Sequence, residues 1–274
     1  MATTDASELL GQATKKGRAG WIRILGRVGL VAKGVSYGLV GFLALRLAFG
    51  AGGTATSRSG ALATIADESW GKVVLIVLAL GFAAYVLWRL ADTIWPDPED
   101  NEAKELAKRA ASLGRAAVYA GLTYTALKIA FGSGEESQNE KAHKATAQVL
   151  DWPGGTWIVG AAGACIIAAG LYNVYRGLSR KFSDRWQTTA GEIPRWGERA
   201  GVVGLIARGV VFTLIGAFFI KAAVEYDPRE AIGVDGALQK LAQETYGEWL
   251  LGLTAAGLVA YAIFCIVEAK YRRI

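Results

Sequence analysis

Basic residues recur in pairs at a fixed spacing, and they are the side chains of this sequence best suited to bind a ligand. The pairs are Lys33 with Arg46, Arg115 with Lys128, and Arg208 with Lys221, and twelve uncharged residues separate the two members of each pair. We call the first members (Lys33, Arg115, Arg208) the inner trio and the second members (Arg46, Lys128, Lys221) the outer trio. Lysine and arginine bind carboxylates and phosphates through charge-assisted hydrogen bonds. Either trio is therefore a candidate site for an anion or an anionic lipid headgroup.

The spacing limits how the two trios can be arranged if each pair lies on one helix. Twelve intervening residues span about 18 Å of helix, so a pair can bracket most of the hydrocarbon layer of a membrane. Thirteen positions at 100° per residue place the paired side chains about 220° apart, and only one trio can therefore face a common axis. Two interpretations remain open: both trios lie at headgroups on opposite sides of the membrane, or the outer trio turns inward and converges on one anionic ligand.

The remaining polar side chains predict little chemistry. Arg89 and Asp92 lie three residues apart and can form an ion pair; a proton or ion relay is the weaker alternative, because no carboxylate lies in the middle of an apolar segment. His143 is the only histidine and is expected to be solvated in a loop. Cys165 and Cys265 are expected to be small packing residues. We therefore predict no catalytic residue, no metal or cofactor site and no enzymatic activity.

The elements that must position these side chains are long apolar segments. Hydrophobic residues make up 53% of the 274-residue chain, charged residues make up 20%, and the mean hydropathy is +0.29. Six segments approach the length of about 20 residues that a membrane-spanning helix needs: Leu30–Ala51, Val73–Trp95, Leu113–Phe131, Trp157–Tyr175, Leu205–Val224 and Trp249–Val267. None alternates apolar and polar residues as barrel strands do. The predicted fold is an all-α membrane protein with six transmembrane helices.

The distribution of basic residues predicts the orientation. If the N-terminus is cytoplasmic, 18 of the 30 Lys and Arg residues flank the helices on the cytoplasmic side and 6 lie on the opposite side. Cytoplasmic loops carry such an excess, so we expect both termini in the cytoplasm and the chain in the cytoplasmic membrane.

Residues 7–27 have an apolar and a basic face and predict an amphipathic helix on the inner leaflet. Nucleic acid is not an expected partner, because no recognition motif accompanies the basic residues.

The chain repeats one unit three times. The segment from Lys33 to Tyr37 matches Arg115 to Tyr119 and Arg208 to Phe212, and Trp88 matches Tyr172 and Phe264. Gly60-Ala61-Leu62 matches Gly236-Ala237-Leu238, which predicts a short helix in each outer loop with Ser59 and Asp235 as N-caps.

The predicted boundaries are 1–28 for the amphipathic N-terminal segment, 29–95 for repeat 1, 96–112 for a cytoplasmic linker, 113–175 for repeat 2, 176–200 for a second linker and 201–274 for repeat 3. Each unit enters and leaves on the same side, so the repeats are parallel.

Small and aromatic residues predict where the helices pack and where they meet the membrane surface. Gly34, Gly38 and Gly41 let neighbouring backbones approach closely. Eight of the nine tryptophans lie near predicted helix ends, as residues of an interfacial belt do, and Trp186 is one of them. Trp88 is the exception and is expected to pack between helices.

Three consecutive two-helix units, openings such as Ala32-Lys33-Gly34 and Ala207-Arg208-Gly209, and the ending Glu268-Ala269-Lys270-Tyr271-Arg272-Arg273 resemble the family registered as domain of unknown function 1206. The resemblance covers residues 25–274 and departs most in the middle repeat, where Ala116 replaces the glycine. It implies a bacterial, mostly actinobacterial, integral membrane protein with six helices. It implies no reaction.

The sequence therefore predicts a non-enzymatic protein of the cytoplasmic membrane. Its expected role is to scaffold a partner membrane protein or to bind membrane lipids, anionic ones in particular. The alternative is a channel or transporter that passes a small anion or lipid-like solute through a pseudo-threefold centre. A water-filled centre lined by one trio would favour transport, whereas a packed apolar centre would favour the other two roles.

Overall fold

The computed structural model describes residues 6–49, 61–63, 66, 70–94, 102–132, 138–183, 186 and 194–272, and for residues 6–19 and 138 it describes the backbone alone. Eight α-helices of ten residues or more lie in these ranges: α1 (Ala6–Ala48), α2 (Gly71–Ile94), α3 (Glu102–Ala130), α4 (Gln138–Leu150), α5 (Gly155–Ser179), α6 (Arg195–Glu225), α7 (Val234–Gln243) and α8 (Gly247–Tyr271). The described part of the chain contains no β-strand, only an isolated bridge between Trp186 and Arg272.

Five of these helices are long and apolar enough to cross a membrane: Gly20–Ala48 within α1, and the whole of α2, α5, α6 and α8. The sixth predicted segment, Leu113–Phe131, lies almost entirely within α3 but is less apolar than the other five. Its two basic residues, Arg115 and Lys128, and its threonine and tyrosine side chains lower its hydropathy. Ala51 and Trp95, the predicted ends of the first two segments, lie outside the described residues.

The helix boundaries differ from the predicted domain boundaries. Helix α1 runs without a break through the predicted division between residues 28 and 29, so the N-terminal segment continues the helix that carries Lys33. The predicted linker 96–112 is helical from Glu102 onward. A basic surface stretch and the apolar stretch that follows can form one helix, because neither contains a proline. The change in polarity therefore marks no change in backbone structure here.

The long helices pack in an order that does not follow the chain. Helix α3 packs on α2, α2 on α1, α1 on α8, α8 on α6, and α6 on α5. Glycines make the closest of these contacts: a Cβ atom added at Gly163 would lie 2.8 Å from the carbonyl oxygen of Gly216, and one added at Gly34 would lie 3.0 Å from that of Ala262. The predicted packing role of Gly34 and Gly41 is confirmed, since Gly41 also lies against α8.

Short helices cover the end of the bundle at which α5 and α8 begin and α6 ends. Helix α4 contacts α5, α7 and the 3-10 turn Pro228–Glu230. The hydroxyl of Tyr226 donates to the carbonyl oxygen of Leu150 at 2.8 Å, and the amide of Gly233 donates to Oδ1 of Asn139 at 2.7 Å. The predicted helix after Gly236 is thus present as α7, and a second, α4, occupies the middle repeat.

The predicted N-cap of α7 is wrong. Gly233 caps the helix and Asp235 lies buried in its first turn. The helix begins earlier than predicted, and an acidic side chain in a first turn still interacts favourably with the helix dipole. The other predicted N-cap, Ser59, lies outside the described residues, but Leu62 and its repeat counterpart Leu238 are both completely buried.

The long helices expose large apolar side chains on their outer faces. Trp157, Trp249 and Leu253 are 84%, 81% and 74% exposed. Such extensive apolar exposure is typical of a surface covered by lipid. Trp88 is buried as predicted, whereas Trp186 is also buried and packs against Phe264, so it is not a belt residue.

The two cysteines differ in their surroundings. Cys265 is buried and confirms its predicted packing role, but Cys165 is exposed on α5. The difference arises because α6 is the only long helix of the described chain that packs against α5.

Candidate functional site

The three repeats place the inner trio on three different helices and give each member an aromatic neighbour. Lys33 lies on α1, Arg115 on α3 and Arg208 on α6. An aromatic residue follows each of them four positions later: Tyr37, Tyr119 and Phe212. Residues four apart lie on the same helix face. The repeated sequence therefore presents the same basic-aromatic combination three times.

Arg208 is held by neutral groups. Its Nη1 donates to the hydroxyl of Tyr261 at 2.9 Å and to Oδ1 of Asn173 at 3.5 Å. Its guanidinium also lies 4.6 Å from the ring centroid of Phe212 and 5.7 Å from that of Tyr37. The Nε atom is buried and has no hydrogen-bond acceptor among the described residues. Cation–π contacts stabilise the charge without neutralising it.

Lys33 and Arg208 meet at one tyrosine. Lys33 Nζ lies 5.0 Å from the ring centroid of Tyr261, and the Arg208 guanidinium lies 5.1 Å from the same centroid. Lys33 is buried. Tyr261 also packs edge-on against Tyr37, with ring centroids 4.7 Å apart. One aromatic ring thus brings together two basic residues from different repeats.

The same tyrosine pair recurs between α2 and α3. Tyr85 matches Tyr261 in the repeat and Tyr119 matches Tyr37. The rings of Tyr85 and Tyr119 lie 4.3 Å apart. The two pairs confirm the repeat in three dimensions. Three repeats create three equivalent positions around the centre, and the two tyrosine pairs fill two of these positions with aromatic rings.

Arg115 completes the inner trio. Its charge lies within electrostatic range of Arg208 and Arg89, and of the tyrosines at 85 and 261. Its side chain is nevertheless exposed at the surface. No carboxylate of the described residues pairs with it. Like charges repel one another, so this excess of positive charge favours the binding of an anion.

The carboxylates near the trio are already paired with other basic residues. Arg89 donates to Asp92 at 3.0 Å, which confirms the predicted ion pair, and Ser112 donates to the same carboxylate oxygen at 3.0 Å. Arg272 donates to Glu268 at 2.9 Å. Glu268 is also within electrostatic range of Lys33. With each carboxylate matched by one arginine, the charges of the inner trio remain in excess.

The structure does not bring the outer trio together. Arg46, Lys128 and Lys221 are all exposed. Lys221 Nζ lies 2.9 Å from a carboxylate oxygen of Glu230. No contact joins any two members of this trio in the described structure. The reason is the spacing given above: once the inner trio faces the centre, residues thirteen positions later face away from it.

Other candidate groups lie apart from the inner trio. His143 is half-buried in α4 and not solvated in a loop, and the described residues contain no group of three His, Cys, Asp or Glu side chains that could hold a metal ion.

A separate cavity of about 360 Å³ at the start of α6 is lined by Arg180, Arg195, Glu198, Arg199, Val202 and Val203. From the sequence, these arginines indicate only the orientation of the chain in the membrane.

Sequence reasoning missed the tyrosines and Asn173 as parts of this site. Tyr37 and Tyr119 could have been found, because an aromatic residue four positions after each basic residue is a repeated signal. Asn173 could not, since it matches Arg89 in repeat 1 and Cys265 in repeat 3. Its contact with Arg208 depends on how α5 packs on α6.

The fold and its repeats define a helical membrane protein built from three similar two-helix units. The family described as Domain of Unknown Function (DUF1206) matches residues 28–95, 110–180 and 203–272. The chain belongs to this family. It is similar to "Uncharacterized protein YxxB" of Bacillus subtilis (strain 168), with 34% identity over 256 residues, which cover 92% of each chain. No solved structure matches it.

Proposed function

We propose that this protein is a non-enzymatic, six-span protein of the cytoplasmic membrane that binds an anionic lipid headgroup at its inner trio. Both termini lie in the cytoplasm. The excess of basic residues on that side supports the orientation, and the position of α3 in the second repeat supports its role as the sixth span. Its 29 residues exceed the length that a span requires.

The single observation that carries the proposed binding role is the excess of positive charge around the buried ring of Tyr261, where two members of the inner trio meet and the third lies within electrostatic range. Arg115 lies within electrostatic range of Arg208, and Lys33 shares the ring of Tyr261 with Arg208. A phosphate group would accept hydrogen bonds from the guanidinium groups and offset their repulsion. Aromatic pairs occupy much of the centre, which favours binding over passage of a solute.

The orientation is tested by attaching a reporter to each terminus and one to the segment 133–137 between α3 and α4. Accessibility of both termini from the cytoplasm and of the middle reporter from the opposite side is expected. A middle reporter on the same side as both termini would show that α3 does not span.

The binding role is tested with two variants of one helix. Arg115→Gln removes a charge of the inner trio, and Lys128→Gln removes a charge of the outer trio from the same helix α3. Native mass spectrometry of the full chain in detergent micelles with added phosphatidylglycerol measures the bound lipid. We expect Arg115→Gln to lower the affinity about tenfold and Lys128→Gln to leave it unchanged. Equal binding by wild type and Arg115→Gln would refute the proposal.

A further inference from the structure

The row of packed helices curves into a ring that is open between its two ends. Helices α3 and α5 stand at the ends of the packing order, and although both are described throughout, they share no packed interface. The row must curve, because the Arg208 guanidinium on α6 lies 5.7 Å from the ring centroid of Tyr37 on α1, two packing steps away, and Tyr119 on α3, four steps away, is still within electrostatic range of Arg208. The opening therefore lies between the two helices of the middle repeat.

The other two repeats show what the opening lacks. In repeat 1, a Cβ atom added at Gly81 would lie 2.5 Å from Cβ of Ala32. In repeat 3, one added at Gly257 would likewise collide with Ala207. The two helices of each unit therefore touch.

The counterparts in the middle repeat are Gly114 and Cys165. A Cβ atom added at Gly114 would have no atom within 4 Å, and Cys165 is exposed. The contact that joins the two helices of repeats 1 and 3 is thus missing here.

The exposed residues form one continuous stripe on each side of the opening. The stripes are Gly114, Val118 and Gly121 on α3, and Cys165, Ala169 and Tyr172 on α5. Residues at this spacing share a helix face. Their counterparts in repeat 1 are buried at five of the six positions, Tyr85 and Trp88 among them. The walls of the opening are therefore apolar surfaces that lack the partner found in the other repeats.

Two side chains that repeats 1 and 3 share, a tyrosine and a carboxylate, are replaced in the second helix of the middle repeat. Ala169 stands where Tyr85 and Tyr261 stand in the other repeats, and Arg176 stands where Asp92 and Glu268 stand. Ala169 lies directly beside the site, because its carbonyl oxygen accepts a hydrogen bond from Asn173 at 2.7 Å. The third equivalent position at the centre, which belongs to the middle repeat, is thus not filled by a tyrosine and has space for apolar atoms. It also carries an excess of positive charge.

We infer that the opening between α3 and α5 admits the acyl chain of an anionic phospholipid whose phosphate reaches the inner trio. This rests on the proposed binding role and names the class of ligand and its route. Charge complementarity favours a lipid phosphate near Arg115, which is exposed and lies on the same helix as one wall. The apolar walls extend along membrane-spanning segments, where a free hydrated anion would lose its water. The lipid reaches the centre sideways from the membrane.

The test fills the opening from each of its two walls in turn. Ala169→Tyr restores the residue of the other two repeats, and Ala164→Tyr adds the same ring on the same helix at the counterpart of Leu80, which is 66% exposed on the outer face of α2. Gly121→Leu fills the opening from α3, where a Cβ atom meets nothing within 4 Å. Binding of phosphatidylglycerol and of inorganic phosphate to the full chain in dodecylmaltoside micelles is measured for each variant.

We expect Ala169→Tyr and Gly121→Leu each to weaken phosphatidylglycerol binding about tenfold, and Ala164→Tyr to leave it unchanged. Wild type should bind inorganic phosphate far more weakly than the lipid. Unchanged lipid binding in both filled variants, while Arg115→Gln loses it, would overturn the lateral route but keep the proposed headgroup site. Unchanged binding in all of these variants would overturn both.

Two further outcomes would also overturn the inference. Inorganic phosphate that binds as strongly as the lipid would show that the site takes a free anion. A wild-type dimer that becomes monomeric in Ala169→Tyr would show that a second copy of the chain covers the opening. Proper folding of each variant is checked by the protection of the buried Cys265 thiol from labelling.

Discussion

A glycine substitution in the interface between α5 and α6 should destabilise the protein, and the same substitution on the open face of α3 should not. At Gly170 an added Cβ atom would lie 2.6 Å from Oγ1 of Thr213 and 2.8 Å from the carbonyl oxygen of Gly209. The backbone oxygen cannot move unless the helices separate. At Gly121 an added Cβ atom has no neighbour within 4 Å. Gly170→Ala and Gly121→Ala therefore form a matched pair.

The expected cost of Gly170→Ala is about 1–3 kcal/mol in the free energy of unfolding, which is the usual range for overpacking a filled interface. Gly121→Ala is expected to stabilise by as much as about 1 kcal/mol, since alanine favours helix more than glycine does. Among the described helices, α6 is the only long helix that packs against α5. No other long helix can therefore compensate when this interface is disturbed.

The assay is equilibrium unfolding by sodium dodecyl sulfate in mixed micelles, with the labelling of Cys265 as its signal. Cys265 is buried and becomes reactive only on unfolding, and Cys165→Ser removes the other thiol, which is exposed. Equal unfolding midpoints for the two glycine variants would refute the close approach of α5 to α6. A destabilised Gly121→Ala would refute the open face of α3.

Two further outcomes are expected. Glu268→Gln should lower the free energy of unfolding by about 3 kcal/mol, because breaking a buried ion pair leaves its partner charge unpaired. Asp92→Asn should cost less, since Arg89 keeps its hydrogen bond to the hydroxyl of Tyr85 and Asp92 is 38% exposed whereas Glu268 is 6% exposed. An equal loss in both, measured by the same unfolding titration, would contradict this difference. In the folded wild type, a membrane-permeable maleimide should label Cys165 and leave Cys265 unlabelled, and mass spectrometry that finds the label on Cys265 first would contradict the assigned burial.

The helices and the repeat could be predicted from the sequence because both are written in local patterns. Long apolar runs located the spanning helices, and the residues following Lys33, Arg115 and Arg208 revealed the threefold unit. The spacing also showed that only one trio can face the centre. It could not show which one, because the rotation of α1 depends on the contacts of Gly34 and Gly41 with α8.

The opening could not be predicted because it consists of contacts that are missing. The sequence drew attention to Ala116 as the departure of the middle repeat, yet Ala116 is buried much like the glycines it replaces. The departures that matter are Ala169 and Arg176, which replace an aromatic residue and a carboxylate. Their effect appears only when α5 is seen to pack against α6 and not against α3.

Packing and charge depart from the repeat at the same place, and this coincidence connects the fold to its proposed role. In repeats 1 and 3, a tyrosine fills the centre and a carboxylate pairs with an arginine. In the middle repeat, the tyrosine, the carboxylate and the contact between the two helices are all absent. A loss of packing alone would leave a groove filled by any lipid chain, and a loss of the carboxylate alone would leave repelling charges. An anionic lipid supplies the missing apolar bulk and the missing negative charge together, and so takes the place in the middle repeat that a tyrosine and a carboxylate fill in the other two.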